Sequence, residues 1–238
     1  MDNGSGRVIR TSTDFLGYCK SNLKLVIGNK NYSTWSLRPW FFLKNLNIDF
    51  EEELVFILQD DTDEYLKPYN SNGKVPILID INNGFQVWDS LAIIETIADK
   101  FPEKQGWPKE ATARAFARTV SAEIHSSFFA LRDALPMNLR KHFADYPITD
   151  DVQLDIDRLT LLWEYCRQYK NNNGAWLFGD FSGADAMFAP VVMRLLGYDV
   201  KLTGFAAEYV DFVYNNEYMQ KWIDESKNET QIIEEDEV

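Results

Sequence analysis

The chain has 238 residues, of which 45% are hydrophobic and 26% are charged, and its formal net charge is -13. This composition is typical of a soluble globular protein that is long enough to bury a substantial core. Because nucleic acids and anionic membranes are bound through basic surfaces, the acidic balance argues against both as partners.

The thiol content and the first residues indicate the compartment. Cys19 and Cys166 are the two cysteines of the sequence, and two thiols cannot form a disulfide framework. This favours a reducing, cytoplasmic location. No apolar stretch approaches the length of about 18 residues that a membrane span needs. Residues 1–21 are rich in Gly, Ser and Thr and lack the apolar segment of a secretory signal, so we expect a flexible extension.

Residues 22–101 alternate between strand and helix patterns and are predicted to form one domain. Asn82, Asn83 and Gly84 give a strong hairpin signal between two short apolar runs. The resulting order is βαβαββα, a small sheet with helices on its faces. The predicted elements are a strand at 23–27, a helix at 36–46, a strand at 50–57, a helix at 61–66, strands at 75–80 and 85–88, and a helix at 90–100.

The rest of the chain is predicted to be helical after a linker at residues 102–110, which is bounded by prolines. The helical domain covers residues 111–226, with apolar stripes at 116–135 and 152–166 and a helix at about 205–214. Ser182 and Asp185 have the spacing of a capping box and predict a further helix start. Residues 227–238 carry five acidic side chains and one basic one, which predicts an acidic, disordered tail.

The start of the first helix determines which polar side chains are free for chemistry. A proline is tolerated in the first turn of a helix, so Ser36 as the N-cap would make Pro39 the third helical residue. Residues 31–35 would then form a loop whose hydroxyl groups can face a ligand. The alternative is that Ser33, Thr34 and Ser36 only cap the helix.

Several motifs in this order resemble the soluble glutathione S-transferase family. They lie at residues 31–38 after the first strand, at 73–78 around Val75-Pro76, at 88–90 and at 182–185. The stretches 122–126 and 184–190 are similar to a bacterial-type branch related to the zeta-like serine enzymes. The resemblance covers about residues 23–225. It implies a thioredoxin-like α/β domain with a mixed four-stranded sheet, followed by an all-α domain.

The resemblance implies that the protein activates the thiol of glutathione. A free thiol has a pKa near 8.5, and lowering this pKa by about 2 takes roughly 2.7 kcal/mol, which a charge-assisted hydrogen bond and a helix N-terminus can supply. Ser33 is the leading candidate for the thiolate partner. Alignment on Arg38 by the family pattern instead puts the usual serine at Asn31, so the catalytic assignment is shared by Ser33, Asn31 and Thr34.

The same resemblance implies where glutathione is bound. Val75 would hold its cysteinyl part beside a cis peptide bond at Pro76. Ser90, as a helix N-cap, would bind the γ-glutamyl carboxylate, and Asp89 would contribute to the ammonium group. Lys74 would contact the glycyl carboxylate, although a solvated lysine explains the residue equally well.

The second substrate is expected between the two domains. Arg118, His125 and Arg132 are spaced by seven residues and would share one helix face, with Phe128 beside them. Met137 and Asn138 are further candidates. For His125 the alternative is a structural histidine, and no metal-ligand spacing is present.

The predicted activity is conjugation of the glutathione thiolate to small hydrophobic electrophiles. The alternatives are a zeta-type glutathione-dependent cis–trans isomerase, for which paired arginines suit a dicarboxylate, and a non-catalytic binding module. A thiol–disulfide reductase is disfavoured, because residues 28–38 contain no cysteine. The resemblance also implies a homodimer.

Overall fold

The computed structural model describes residues 21–238, so most of the predicted extension at 1–21, including Cys19, lies outside the described residues. The first domain has the predicted order βαβαββα, and its sheet has the strand order β2-β1-β3-β4 with only the β1–β2 pair parallel. The elements are β1 (Leu23–Ile27), α1 (Thr34–Asn45), β2 (Glu51–Leu54), α2 (Thr62–Leu66), β3 (Ile77–Asp80), β4 (Gln86–Trp88) and α3 (Ser90–Lys100).

The sheet is covered on both faces, because successive strand residues point to opposite sides. Leu25 of β1 joins the large core that includes α1 and α3. Its neighbour Val26 points the other way and packs with Ile77 and with Leu66 of α2. Gly84 closes the predicted hairpin with a φ of 73°, a conformation that favours glycine, and its N–H donates to the carbonyl of Asp80. The thioredoxin-like layout is therefore confirmed.

The second domain is built from six helices within the described residues. Its core is continuous with that of the first domain, and α1 packs against the most deeply buried helix of the second domain. The helices are α4 (Ala111–Ser126), α5 (Phe129–Ala134), α6 (Asp150–Arg167), α7 (Gly183–Gly197), α8 (Gly204–Tyr214) and α9 (Glu217–Ser226). None of the helices in residues 21–238 is both long and apolar enough to cross a membrane.

The apolar stripe predicted at 116–135 is split into two helices. α4 ends at Ser126, and Phe128 adopts a left-handed conformation with a φ of 63° before α5 begins. The apolar spacing of the sequence continues across this break because Phe128 and Leu131 are both buried in the core. The expectation of one helix face for Arg118, His125 and Arg132 was therefore wrong, since Arg132 belongs to α5.

The predicted N-cap of α1 was also wrong. Ser33 is the N-cap, and Pro39 is the sixth helical residue rather than the third. The hydroxyl of Ser36 instead accepts the backbone N–H of Gly28 at 3.0 Å, a contact between the strand end and the helix that local spacing does not reveal. A proline in the helix interior removes one hydrogen bond, but α1 buries Leu37 and Trp40 completely, and this burial holds the helix together.

The acidic tail at 227–238, expected to be disordered, packs against both domains. Ile233 is buried, and a 3₁₀ turn covers Glu234–Asp236. We call residues 227–238 the C-terminal segment. Its acidic composition predicted a solvent-exposed segment, but two of its carboxylates accept hydrogen bonds from the folded chain. These hydrogen bonds are described below.

Candidate functional site

One edge of the sheet gathers the ends of three strands and the starts of two helices. The register pairs Val26 with Ile77 and Ile77 with Trp88, so the end of β1, the start of β3 and the end of β4 lie side by side. The chain enters α1 after β1 and α3 after β4. The N-termini of α1 and α3, which carry partial positive charge, thus flank the same strand ends.

Ser33 lies at the N-terminus of α1 and is almost fully buried. Its Oγ accepts the backbone N–H of Ser36 at 3.3 Å and donates to the Ser36 Oγ at 2.8 Å. Thr34 is the first helical residue and is half-buried. The hydroxyl of Ser33 therefore has a capping role, and its proton goes to another hydroxyl group that already accepts a bond from Gly28.

Asn31 is completely buried and bonds to the second domain. Its Nδ2 donates to the Oδ1 of Asn138 at 2.9 Å, and its Oδ1 accepts the backbone N–H of Arg140 at 2.9 Å. Its own backbone N–H donates to the carboxylate of Glu229 at 3.0 Å. These contacts give Asn31 a structural role that its position in the motif did not indicate.

The motif at Val75-Pro76 lies at the start of β3. The peptide bond between the two residues is cis, as the resemblance implied. The paired ladder of β3 begins at Ile77, so the backbone of half-buried Val75 lies beyond the last paired residue. Lys74 is exposed, and its backbone N–H donates to the Oγ of Ser71.

Asp89, rather than Ser90, is the N-cap of α3. Its Oδ1 accepts the backbone N–H groups of Leu91 and Ala92 at 3.0 and 3.1 Å, as the side chain of an N-cap residue does. Asp89 has a φ of 77°. Ser90 is the first helical residue, and its Oγ is buried without a hydrogen-bond partner among residues 21–238. A buried hydroxyl without a partner is costly, and it marks this position as a candidate ligand contact.

His125 connects this edge to the second domain. Its Nε2 lies 3.1 Å from the Oδ2 of Asp89, and its ring packs edge-on against Trp35 at a centroid distance of 5.3 Å. Burial lowers the pKa of His125, with further lowering by the charges of Arg38 and Arg132 against the opposing effect of Asp89. The Nδ1 atom is buried and has no partner in the described part of the chain.

Of the remaining residues predicted for the second-substrate pocket, Arg132 lies beside His125 and donates to its backbone carbonyl, whereas Arg118, Phe128 and Met137 lie elsewhere. Arg118 binds Glu95 through two hydrogen bonds of 2.9 and 2.8 Å, and so it does not join His125. Phe128 is buried in the core at the break between α4 and α5. Arg132 is half-buried, and its guanidinium lies 4.9 Å from the ring centroid of Trp35. Met137 is buried in the core as well.

Sequence reasoning missed the contacts of the C-terminal segment with the loop before α1. The two carboxylate oxygens of Glu229 accept the consecutive backbone N–H groups of Lys30 and Asn31, at 2.6 and 3.0 Å. Glu237 accepts the hydroxyl of Tyr32 at 2.5 Å and the Nδ2 of Asn138 at 2.8 Å. Burial raises the pKa of Glu229, and the two backbone donors oppose that rise. The segment thus fixes the loop that leads to Ser33.

A thioredoxin-like domain with two helix N-termini at one sheet edge, joined to a helical domain, is the architecture of glutathione S-transferases. Residues 32–100 match the family model for the glutathione S-transferase N-terminal domain. The fold resembles a glutathione transferase homolog from Burkholderia solved with bound glutathione. That likeness has a TM-score of 0.63 at 21% identity and covers 88% of this chain and 100% of the other. Residues 32–100 therefore form a glutathione S-transferase N-terminal domain, and the whole chain has the fold of these transferases.

Two curated relatives extend the comparison. A probable maleylacetoacetate isomerase from Caenorhabditis elegans is 27% identical over 187 residues, covering 78% of this chain and 85% of the relative. A dichloromethane dehalogenase from Methylophilus leisingeri is 39% identical over 69 residues, but this match covers only 25% of that relative. The fold also resembles the transferase URE2P8 from Phanerochaete chrysosporium, solved with oxidized glutathione. Its TM-score is 0.60 at 19% identity, and the match covers 89% of this chain and 97% of the other.

Proposed function

We propose that this protein is a glutathione transferase that conjugates the glutathione thiolate to small, largely hydrophobic electrophiles. One observation carries the proposal: the buried hydroxyls of Ser33 and Ser90 stand at the N-termini of α1 and α3, beside the unpaired backbone of Val75. Two helix N-termini suit a ligand that carries a thiolate and a carboxylate.

Glutathione would lie along the start of β3. The backbone of Val75 would pair with the cysteinyl residue, next to Pro76. The Oγ of Ser90 and the N-terminus of α3 would bind the γ-glutamyl carboxylate, and Asp89 would attract the ammonium group. Lys74 is exposed and would contact the glycyl carboxylate.

Ser33 is the proposed catalytic residue. By rotation its hydroxyl can donate to the thiolate while its oxygen keeps the N–H of Ser36, so the helix cap survives. A hydrogen bond to a charged group contributes about 1.5–3 kcal/mol and the helix N-terminus about 0.3–1 kcal/mol, which is the amount needed to bring a thiol pKa close to neutrality. Asn31 is a weaker candidate because both ends of its amide already have protein partners. Thr34 remains the third candidate.

The reaction begins with loss of the thiol proton to water. The thiolate sulfur then forms a bond to the electrophilic carbon, and the leaving group departs with its electron pair. In an addition, the carbanion that forms takes a proton from water instead. Stabilising the thiolate is the main contribution that the protein makes in either case.

The test is the variant Ser33→Ala, assayed with a chromogenic aryl halide as the electrophile. We expect kcat to fall at least about tenfold, because one charge-assisted hydrogen bond is lost, while binding of the unreactive analogue S-methylglutathione is retained. Ser126→Ala is the matched control, because Ser126 is exposed and its hydroxyl donates to the carbonyl of Ala122 in its own helix. Unchanged turnover in Ser33→Ala would contradict the assignment and leave Asn31 and Thr34.

A second candidate function is glutathione-dependent cis–trans isomerisation, which is favoured by the similarity to the probable maleylacetoacetate isomerase. The thiolate would add to a conjugated cis double bond, the resulting single bond would rotate, and elimination of the thiolate would leave the trans isomer. An assay with maleylacetoacetate and substoichiometric glutathione separates the two reactions. Turnover beyond the amount of glutathione indicates isomerisation, and turnover that stops there indicates conjugation.

Binding of S-methylglutathione without turnover of either substrate would select the non-catalytic module instead. The homodimer and the cytoplasmic location stay predictions.

A further inference from the structure

The loop between β1 and α1 closes on itself just before α1 begins. The backbone N–H groups of Tyr32 and Ser33 donate to the carbonyl of Asn29 at 3.2 and 2.8 Å. Asn29 is fully buried, and its Oδ1 accepts the backbone N–H of Ile57 at 2.8 Å, which ties the loop to the chain after β2. These contacts satisfy the last two N–H groups of the loop. The N–H groups of residues 30 and 31 need acceptors from another part of the chain.

Glu229 of the C-terminal segment is the acceptor for both of these N–H groups. Its two carboxylate oxygens accept the N–H groups of Lys30 and Asn31 at 2.6 and 3.0 Å. Glu229, Lys30 and Asn31 are only 7%, 4% and 0% exposed. Successive backbone N–H groups in a turn form a concave anion site, and here a carboxylate of the same chain fills it. Loss of that carboxylate would leave two buried donors without an acceptor.

A second carboxylate of the C-terminal segment holds the next residue of the loop. Glu237 accepts the hydroxyl of Tyr32 at 2.5 Å. Arg140 donates to the same hydroxyl at 2.9 Å and also to the backbone carbonyl of Glu229, so it fastens the segment to the loop. The segment thus contacts three consecutive residues of the loop, and Ser33 is the next residue in the chain.

The position of Ser33 therefore depends on the C-terminal segment. The loop is neither helix nor strand, so no regular ladder of hydrogen bonds fixes it. In the proposed reaction the hydroxyl of Ser33 has to keep the N–H of Ser36 and also reach the thiolate. Hydrogen bonds weaken steeply when their geometry is distorted, and a displacement of about 1 Å can lower a rate about a hundredfold.

We propose that Glu229 is a positioning residue, which holds the N–H groups of Lys30 and Asn31 so that the hydroxyl of Ser33 is directed at the sulfur of glutathione. The inference rests on the proposed glutathione transfer, because it concerns the placement of the catalytic hydroxyl. Glu229 acts through the loop and exchanges no proton with the substrate. Glu237 supports the same arrangement through Tyr32.

The charge of Glu229 allows positioning to be distinguished from a direct electrostatic effect. A carboxylate disfavours a nearby thiolate, so removal of the charge alone would lower the pKa of the glutathione thiol. Loss of the positioning contacts has the opposite effect, because the hydrogen bond from Ser33 to the thiolate is weakened and the thiol pKa rises. The direction of the pKa change therefore separates the two roles.

The test is the variant Glu229→Gln, in which the amide oxygen can accept one N–H group but the amide nitrogen cannot accept the other. The pKa of bound glutathione is measured from the ultraviolet absorbance of its thiolate as a function of pH. We expect this pKa to be about 1 higher than in the wild-type protein, a tenfold loss of thiolate stabilisation, while S-methylglutathione still binds. Glu234→Gln is the matched control and should leave the pKa unchanged, because Glu234 is exposed and carries the same charge on the same segment.

Two further variants show whether Glu229 acts through the loop. In the Ser33→Ala background, Glu229→Gln should not raise the thiol pKa further, because no hydroxyl is left to position. Tyr32→Phe keeps the buried ring and removes the hydroxyl that Glu237 and Arg140 bind, so it should raise the pKa by a smaller amount. If Glu229→Gln does not fold, Tyr32→Phe carries the test, and an unchanged pKa in that variant would overturn the proposal.

The outcomes separate this proposal from the proposed catalysis. If the wild-type protein lowers the thiol pKa and Glu229→Gln leaves it equally low or lower, the positioning role is overturned and the transferase stands. The positioning role is also overturned if Glu229→Gln raises the pKa equally with and without the Ser33 hydroxyl. A wild-type protein that binds glutathione without lowering its thiol pKa would overturn the proposed catalysis, and the positioning role with it.

Discussion

Replacement of Asp185 tests how α7 is held in place. Asp185 is completely buried at the start of α7, where the capping box predicted from the sequence is present. Its carboxylate accepts the backbone N–H groups of Leu177 and Ser182 at 3.0 and 2.9 Å. It also accepts the hydroxyls of Tyr209 and Ser182, both at 3.1 Å. Asp185→Ala leaves these four buried donors without this acceptor.

The magnitude follows from two opposing terms. Each buried donor without a partner costs about 1–3 kcal/mol, or about 8 kcal/mol for four. Burial raises the pKa of Asp185 to about 6, against the hydrogen bonds that lower it. Since an aspartate in an unfolded chain ionises near 3.9, keeping the charge at neutral pH costs about 3 kcal/mol, which the variant recovers. The net loss of unfolding free energy near pH 7 is therefore about 5 kcal/mol.

The pH dependence gives the sharper test. The raised pKa means that the folded protein holds this proton more tightly than the unfolded chain does. The charge penalty is therefore absent below about pH 4 and grows as the pH rises through about 6. Near pH 5 the charge penalty in the wild-type protein is only about half as large, so its removal stabilises the variant less. The loss of unfolding free energy in the variant, relative to wild type, should therefore be about 1 kcal/mol larger near pH 5 than near pH 7.5.

Urea unfolding followed by far-ultraviolet circular dichroism measures the deficit at both pH values. Asp224→Ala is the control, because the Asp224 side chain is 69% exposed and its loss should change stability by no more than about 0.5 kcal/mol. A deficit for Asp185→Ala that is equal at both pH values, or smaller near pH 5, would refute the idea that burial dominates the ionisation of Asp185.

Three further predictions concern the site itself. Asp89→Asn keeps an oxygen for the α3 cap but removes a charge, so the KM for glutathione should rise several-fold with a smaller fall in kcat; steady-state kinetics with the opposite pattern would contradict the binding role. Burial lowers the pKa of His125 below its usual 6.5, so the folded protein favours the neutral imidazole more than the unfolded chain does. The unfolding free energy should therefore decrease as the pH falls from 6.5 through the lowered pKa. An NMR titration midpoint at or above 6.5 would disprove this. Glu229→Ala should lower the unfolding free energy by about 2–4 kcal/mol in urea, because the N–H groups of Lys30 and Asn31 lose their acceptor, and an unchanged value would show that water replaces the carboxylate.

Features set by local residues were predictable from the sequence. The hairpin depends on Gly84, whose conformation glycine favours, and the start of α7 depends on Ser182 and Asp185, three residues apart. The alternation of strands and helices follows from apolar spacing. The cis bond before Pro76 was different, because it was implied by the family resemblance and not by the residues themselves.

Features that depend on distant partners were not predictable in this way. The N-cap of α1 was predicted at Ser36 and is Ser33 in the structure. The hydroxyl of Ser36 instead accepts the N–H of Gly28, which lies eight residues earlier. The role of Asn31 depends on Asn138, more than a hundred residues away. In the sequence Arg38 was used only to align the motif at 31–38, and its burial against Trp35 and the carbonyl of Met187 is visible only once α1 packs on α7.

The C-terminal segment also constrains the order in which the site is assembled during synthesis. The loop before α1 emerges from the ribosome early, but Glu229 and Glu237 are about two hundred residues further along the chain. A domain generally folds as soon as its own residues are available. The first domain can form its sheet before the second domain is synthesised. The backbone N–H groups of Lys30 and Asn31, however, have their acceptor in the C-terminal segment. The loop beside Ser33 therefore gains these two hydrogen bonds only once the C-terminal segment has been synthesised.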